Sequence, residues 1–178
     1  MSAPNAATER EVCVVIETQT LLCLEHGCCV RSFPVSTAAL GTGQQSGSNQ
    51  TPLGAHIIRA KIGGDQPQGA VFTGRRPTGE IWSPQLHAQH PERDWILTRI
   101  LWLSGTEPGH NRLGEVDTMR RYIYIHGTPE CEPLGEPASH GCVRMHSADL
   151  MWLFDWVAVG TPVSLSAHEA CKRTDKPL

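Results

Sequence analysis

What most limits the fold of this chain is the form of its apolar runs, which are short, alternate with polar residues, and are broken by Gly, Pro or polar turns. Residues 11–17 (E-V-C-V-V-I-E) and 20–25 (T-L-L-C-L-E) flank a polar break at Thr18 and Gln19 and predict a β-hairpin. A third run, 28–35, closes at Pro34, where a central strand would lose a backbone donor. The stretch 41–50 (G-T-G-Q-Q-S-G-S-N-Q) has no apolar anchor and reads as a loop, after which T-P-L-G turns into a strand over 55–62. Residues 95–103 (W-I-L-T-R-I-L-W-L) form a near-continuous apolar run suited to a central strand, interrupted by Arg99. Residues 120–126 alternate, so an extended chain there puts Tyr122, Tyr124 and His126 on one face and Ile123 and Ile125 on the other.

One segment has helical spacing. Over 147–157, Leu150, Leu153, Phe154 and Val157 make one apolar stripe, with Ser147 as the expected N-cap and Asp149 in the positive first turn. Gly160, Thr161 and Pro162 end it and lead into a last strand over 163–166. Many short strands and one helix predict a mainly-β domain with the helix packed on a sheet. The polar, Gly/Pro-rich middle, 63–93, is too long for a passive connection and is expected to be a lid or a substrate-facing wall.

At 178 residues, the chain suits one domain over 11–166, with a flexible N-terminus, 1–10, and a C-terminal tail, 167–178. Fifteen Lys and Arg against eighteen Asp and Glu give a net charge of -3, which lacks the basic footprint of a nucleic-acid binder. No run approaches the length of a membrane span, and the first ten residues lack the basic and apolar regions of a secretory signal. Seven cysteines, an odd number, read as small buried hydrophobes with one reactive thiol, and with the N-terminus they predict a reducing cytoplasm.

The densest chemical signal is S-H-G-C-V-R at 139–144, preceded by H-G-T at 126–128. Cys142 lies sixteen positions after His126, and the Pro-rich link 129–138 can return the chain beside that strand's end. A nucleophilic Cys needs a base to make the thiolate and backbone donors to hold an oxyanion. His126 suits the first role, and the N–H groups of His140, Gly141 and Cys142 suit the second, with Gly141 allowing close approach. If 142–146 is extended, Arg144 faces the site as a cation for a carboxylate while Val143 and Met145 face the core. A metal reading of His126, His140, Cys142 and His146 matches no common zinc spacing. The pair Cys28 and Cys29 beside His26 is expected to pack in the core rather than share an ion, because adjacent strand residues point to opposite faces. Trp82, in the polar middle, is a candidate groove-lining residue.

The I-H-G-T and S-H-G-C-V-R-M motifs, at 125–128 and 139–145, resemble the signature of the L,D-transpeptidases, the YkuD-type catalytic domain. The likeness extends to P-V-S-T-A at 34–38, T-P-L-G at 51–54 and G-T-P-V at 160–163, and so spans 11–166. The resemblance implies a mainly-β fold of mixed sheets in a sandwich-like arrangement with one main C-terminal helix. It implies Cys142 as nucleophile and His126 as base oriented by the Gly127 carbonyl, with Ser139, His140, Gly141 and Arg144 on the remaining signature positions. It implies a murein tetrapeptide or muropeptide substrate, cleaved between diaminopimelate and D-Ala through a thioester, with no cofactor. Water as acceptor gives an L,D-carboxypeptidase of murein recycling, and an amine gives a 3→3 cross-link. A non-catalytic muropeptide- or metal-binding module is the reading from another class. Arg144, or Arg99 if it faces the site, is expected to hold a substrate carboxylate.

Overall fold

The computed structural model describes residues 9–169. Most of the expected N-terminal arm and C-terminal tail, with Cys171, lies outside the described residues. The strands are β1 (Arg10–Val15), β2 (Thr20–Glu25), β3 (Cys28–Pro34), β4 (Gly54–Ile62), β5 (Ala70–Thr73) and β6 (Arg76–Ile81). After helix α1 (Pro84–Gln89) come β7 (Ile96–Gly105), β8 (Tyr124–Thr128), β9 (Val143–His146), helix α2 (Ser147–Trp156) and β10 (Pro162–Ser166). The ten strands make one mixed sheet, ordered β3-β2-β1-β10-β4-β7-β5-β6, with β8 also on β7 and β9 on β8. The β1–β10 and β8–β9 pairs are parallel, and the other pairings are antiparallel.

Alternation decides which face each strand buries. Val12 and Val14 of β1 enter the main core, while Cys13 and Val15 pack with Leu24 on the opposite face. The main core joins Leu21 and Phe33 at one end of the sheet to Val143 and Met145 at the other, around Leu150, Leu153 and Phe154 of α2. Strands so distant in order share a core only if the sheet curls back on itself. That curl supplies the expected sandwich-like packing from one continuous sheet. Leu150 and Leu153 are fully buried, and truncating either to Ala would cost about 2–5 kcal/mol.

Five expectations are corrected. Cys28 and Cys29, expected in the core, are exposed on β3. The strand expected from 120 begins only at Tyr124, because 117–122 forms a turn. Asp117 accepts the N–H groups of Leu113 and Arg120, and Tyr122 adopts a φ of 56°, outside the extended region. Ser147 is the first helical residue and His146 the N-cap; the Ser147 hydroxyl instead meets Thr98 Oγ1 at 2.6 Å. Arg10, assigned to a flexible terminus, lies in β1 and pairs through Nε with Glu25 at 2.9 Å. The polar middle, left without elements, holds the β5–β6 hairpin and α1. In α1, Pro84 follows Ser83, whose Oγ accepts the Leu86 N–H.

One buried polar residue ties the sheet to the 117–122 turn. His56 of β4 holds Nδ1 2.9 Å from the Gly54 carbonyl and Nε2 3.0 Å from Thr118 Oγ1. A carbonyl only accepts, so Nδ1 donates, and a neutral ring then accepts the Thr118 hydroxyl at Nε2. Burial lowers the His56 pKa to about 4. The unfolded ring binds a proton near pH 6.5 and the folded ring does not, so stability falls as pH drops from about 6.5 towards 4. The expected loss is about 3 kcal/mol, read by urea unfolding across that range. His56→Gln should flatten that slope; an unchanged slope would refute the assignment.

Candidate active site

The site is built where β8 and β9 lie side by side. Their parallel register sets Ile125 opposite Val143, His126 opposite Arg144 and Gly127 opposite Met145. The link between them is held by the 34–38 segment. The Val35 carbonyl accepts Gly135 N–H at 2.8 Å, the Thr37 carbonyl accepts Ser139 N–H at 2.9 Å, and Ser36 exchanges backbone bonds with Arg144 at 2.8 and 3.0 Å.

The turn into β9 is shaped by two hydroxyls. Ser139 Oγ donates to the Cys142 carbonyl at 2.6 Å and accepts the Gly141 N–H at 3.2 Å. Thr51 Oγ1 donates to the Gly141 carbonyl at 2.9 Å, which orients the peptide plane carrying the Cys142 N–H. Gly141 has a φ of 134°, and a Cβ there would sit 3.2 Å from Ile123 Cδ1 and 3.3 Å from the Gln50 carbonyl oxygen. Only glycine suits both conditions. Of the three N–H groups expected to face an oxyanion, that of Gly141 is engaged by Ser139. Those of His140 and Cys142 have no acceptor among the described residues.

His126, Ser139, His140, Cys142 and Arg144 line one cavity of about 340 Å³. His126 is 1% exposed, and its Nδ1 lies 2.8 Å from the Gly127 carbonyl oxygen. Nδ1 must therefore donate, which leaves Nε2 as the basic nitrogen of a neutral ring. Burial pushes the His126 pKa below the ordinary imidazole value, against the opposing pull of the Gly127 carbonyl and Asp94. Cys142 is half-buried, and its sulfur accepts the Tyr124 N–H at 3.3 Å. Burial pushes its thiol up to about 12, with the Tyr124 N–H acting in the other direction. Among the described residues no hydrogen bond joins the His126 and Cys142 side chains. The resting site holds a neutral thiol and a neutral imidazole in one cavity.

The charged groups around this pair are largely committed to one another. Arg144 Nη2 meets Asp94 Oδ1 at 2.9 Å and Nη1 meets the Ala138 carbonyl at 3.4 Å. His140 Nδ1 approaches the other Asp94 oxygen at 3.5 Å. Burial opposes ionisation of Asp94, but His126, Arg144 and His140 outweigh it and hold the carboxyl below its usual range. Arg99 is not at the cavity. It donates to the Gln66 and Thr98 carbonyls at 2.8 and 2.7 Å and stacks on Phe154. Trp82 is also elsewhere, packed on Val71, Trp95 and Leu97 with its N–H towards His87. Among the described residues, no three His, Cys, Asp or Glu side chains gather closely enough to hold a metal ion.

Three charged cavity residues were not expected from the sequence: Asp94, Arg121 and Arg75. Arg121 donates to the Gly43, Gln44 and Gln50 carbonyls at 3.0, 3.1 and 2.6 Å, fastening the 41–50 loop to the site. Arg75 comes from the tip of the β5–β6 hairpin. Asp94 carries a faint signal, as an acidic residue just before the strand that pairs with β8. The two arginines lie in polar surroundings and carry none.

Residues 9–165 match the YkuD family, described as the L,D-transpeptidase catalytic domain. The chain belongs to that family. The protein named "Probable L,D-transpeptidase YbiS" of Escherichia coli (strain K12) is 31% identical over 106 residues, 58% of this chain and 33% of YbiS. An L,D-transpeptidase from Mycobacterium smegmatis superposes with a TM-score of 0.57 at 21% identity, over 89% of this chain and 59% of that one. L,D-transpeptidase 3 from Mycobacterium tuberculosis, solved with a faropenem-derived adduct, gives 0.54 at 17% identity, over 89% and 60%. The matched stretch thus spans about a third of YbiS and about three-fifths of the two solved chains.

A protonated resting thiol has a direct signature. Only the thiolate is alkylated, so with the Cys142 pKa pushed up to about 12, iodoacetamide labelling of Cys142 should rise about tenfold per pH unit from pH 7 to 9. Peptide mapping by mass spectrometry reads it, and a plateau below pH 8 would instead reveal a preformed ion pair.

Proposed function

We propose that this protein is a cysteine acyl-transfer enzyme that cleaves the diaminopimelate–D-Ala bond of murein tetrapeptide stems, with water as the final acceptor. The observation that carries this reading is the tautomer of His126. With Nδ1–H held by the Gly127 carbonyl, Nε2 is the basic nitrogen of a residue sharing the cavity of Cys142. The family membership supplies the substrate class.

Nε2 takes the Sγ proton as the sulfur attacks the diaminopimelate carbonyl carbon. The carbonyl oxygen gains charge and is received by the free N–H groups of His140 and Cys142. The C–N bond then breaks, Nε2 returns its proton to the leaving D-Ala amine, and a thioester remains on Cys142. Water loses a proton to Nε2 and attacks the thioester; the tripeptide acid leaves and the sulfur recovers its proton. Gly127 acts by holding the ring, and Ser139 by shaping the turn. Arg144 keeps Asp94 charged beside the imidazole, which steadies the imidazolium formed in the first step.

Hydrolysis is favoured over cross-linking by the β5–β6 hairpin. Its tip residues Gly74 and Arg75 form part of the cavity wall, and Arg75 Nη1 is fastened to the Tyr124 hydroxyl at 3.1 Å. Water fits beneath such a strap more readily than a second peptide stem. The cross-linking alternative draws its support from the family description itself. A cytoplasmic setting, in which the substrate is a wall fragment, fits the unbridged and exposed Cys28, Cys29 and Cys131.

The test is incubation with a disaccharide-tetrapeptide followed by mass spectrometry. Loss of one alanine is expected, and a dimeric product would establish cross-linking instead. Cys142→Ala should lower turnover by about a thousandfold or more with its thermal unfolding unchanged. The acid limb of kcat/KM should lie below pH 6.5, because burial lowers the His126 pKa and protonation there removes the base. An acid limb at or above 6.5 would remove His126 from that role.

A further inference from the structure

Three guanidinium groups line the cavity, those of Arg75, Arg121 and Arg144, against one carboxylate, that of Asp94. Arg144 neutralises Asp94, and Arg121 directs its donors into the carbonyls of the 41–50 loop. Arg75 differs from both. Its guanidinium lies 4.5 Å from the ring centre of Trp102 and 5.1 Å from that of Tyr122, and Nη1 donates to the Tyr124 hydroxyl. That is its only hydrogen bond among the described residues, so Nε and Nη2 keep their donors. Stacking on two rings fixes the plane of the group and lowers the entropy lost when it binds a ligand. Tyr122 can serve as one of those rings because its positive φ turns the chain out of the strand, leaving it 55% exposed at the cavity mouth.

We propose that Arg75 is the specificity residue that receives a free carboxylate of the peptide ligand, the role expected of Arg144 or Arg99. The site takes an anionic peptide end, bound through the open edge of a planar guanidinium. The assignment rests on the acyl-transfer reading for its natural ligand, but the position of the cation relative to Cys142 stands apart from that reading. Neutralising Arg75 should weaken binding of an acid while leaving a neutral analogue unaffected.

Two measurements separate these levels. The first uses no muropeptide. Iodoacetate and iodoacetamide each form an Sγ–C bond with the Cys142 thiolate as iodide leaves, and they differ in one carrying a carboxylate. In the wild-type protein, iodoacetate should gain on iodoacetamide at Cys142, relative to exposed Cys131 as internal standard. Arg75→Gln should lower that ratio by about fivefold or more, with Arg75→Lys retaining part of it. Arg76→Gln, at the exposed neighbouring position, should leave it unchanged. An Arg75→Gln ratio equal to the wild-type value, or an equal fall in Arg76→Gln, overturns the proposal. The second compares a tetrapeptide stem with the same stem amidated at its C-terminus. Arg75→Gln should raise KM for the acid towards that of the amide, with kcat little changed. Absence of turnover on either stem would overturn the acyl-transfer reading, while the labelling ratio still decides the role of Arg75.

Discussion

The parallel pairing of β8 with β9 is the constraint on which the rest of the site depends. It sets His126, in the middle of β8, beside Arg144 and close to the turn that carries Cys142 into the start of β9. Ile125, Val143 and Met145 hold the pair down because their side chains are wholly buried in the main core. A slip of one residue would expose all three and turn His126 away from the cavity. Parallel neighbours need a crossover, and here the crossover is largely irregular, so its backbone finds partners elsewhere. The 34–38 segment supplies them through Val35, Ser36 and Thr37. A stretch far from Cys142 in sequence thereby becomes part of its support.

Electrostatics divides the cavity between neutral and charged halves. Cys142 packs against the apolar cluster formed by Ala70, Phe72, Ile100 and Tyr124, surroundings that oppose a thiolate. The imidazole is still further removed from water, and its burial likewise opposes a charge. Two groups that each resist ionisation alone can still exchange a proton when the transfer is coupled to attack on a carbonyl, because the charge passes on to the oxyanion. Beside the imidazole, Asp94 favours its charged form and Arg144 opposes it, so burial sets the direction of its shift while the carboxylate remains at hand for an imidazolium.

Much of this arrangement was legible in the chain. The β1–β2 hairpin, β4, β7, β10 and the buried stripe of α2 follow from the apolar pattern, which is helical in α2 and nearly continuous in β7, a strand buried on both faces. The motifs at 126–128 and 139–144 pointed to residues that the fold brings to one cavity. Other features were hidden for physical reasons. β6 (R-P-T-G-E-I) has almost no apolar residue to bury, so no pattern marks it. Tyr122 continues an alternating run, yet the bonds of Asp117 impose a turn upon it. Arg144 and Arg99 looked available because charge is visible in sequence, whereas the partners that engage it are not. Arg75 was invisible for the opposite reason: its stack on Trp102 and Tyr122 joins residues from three separate parts of the chain.

The orientation of His126 depends in turn on an irregularity in the neighbouring strand. On β7, Leu97 pairs with Gly127 and Ile100 with His126, so Thr98 and Arg99 form a bulge opposite one peptide unit of β8. Thr98 has a φ of 74°, unfavourable for a β-branched residue and costing on the order of 1–3 kcal/mol. Its hydroxyl offsets part of that by bonding Gly69 N–H at 3.0 Å and Ser147 Oγ at 2.6 Å, which ties the start of α2 to the bulge. Gly127 completes the joint, since a Cβ there would lie 2.5 Å from the Leu97 carbonyl oxygen and 3.1 Å from Ser147 Oγ. The peptide whose carbonyl receives Nδ1–H is thus clamped between a bulged strand and a helix start. A strained threonine on one strand holds the tautomer of a histidine on the next, and through it the basicity of the nitrogen that faces the chemistry.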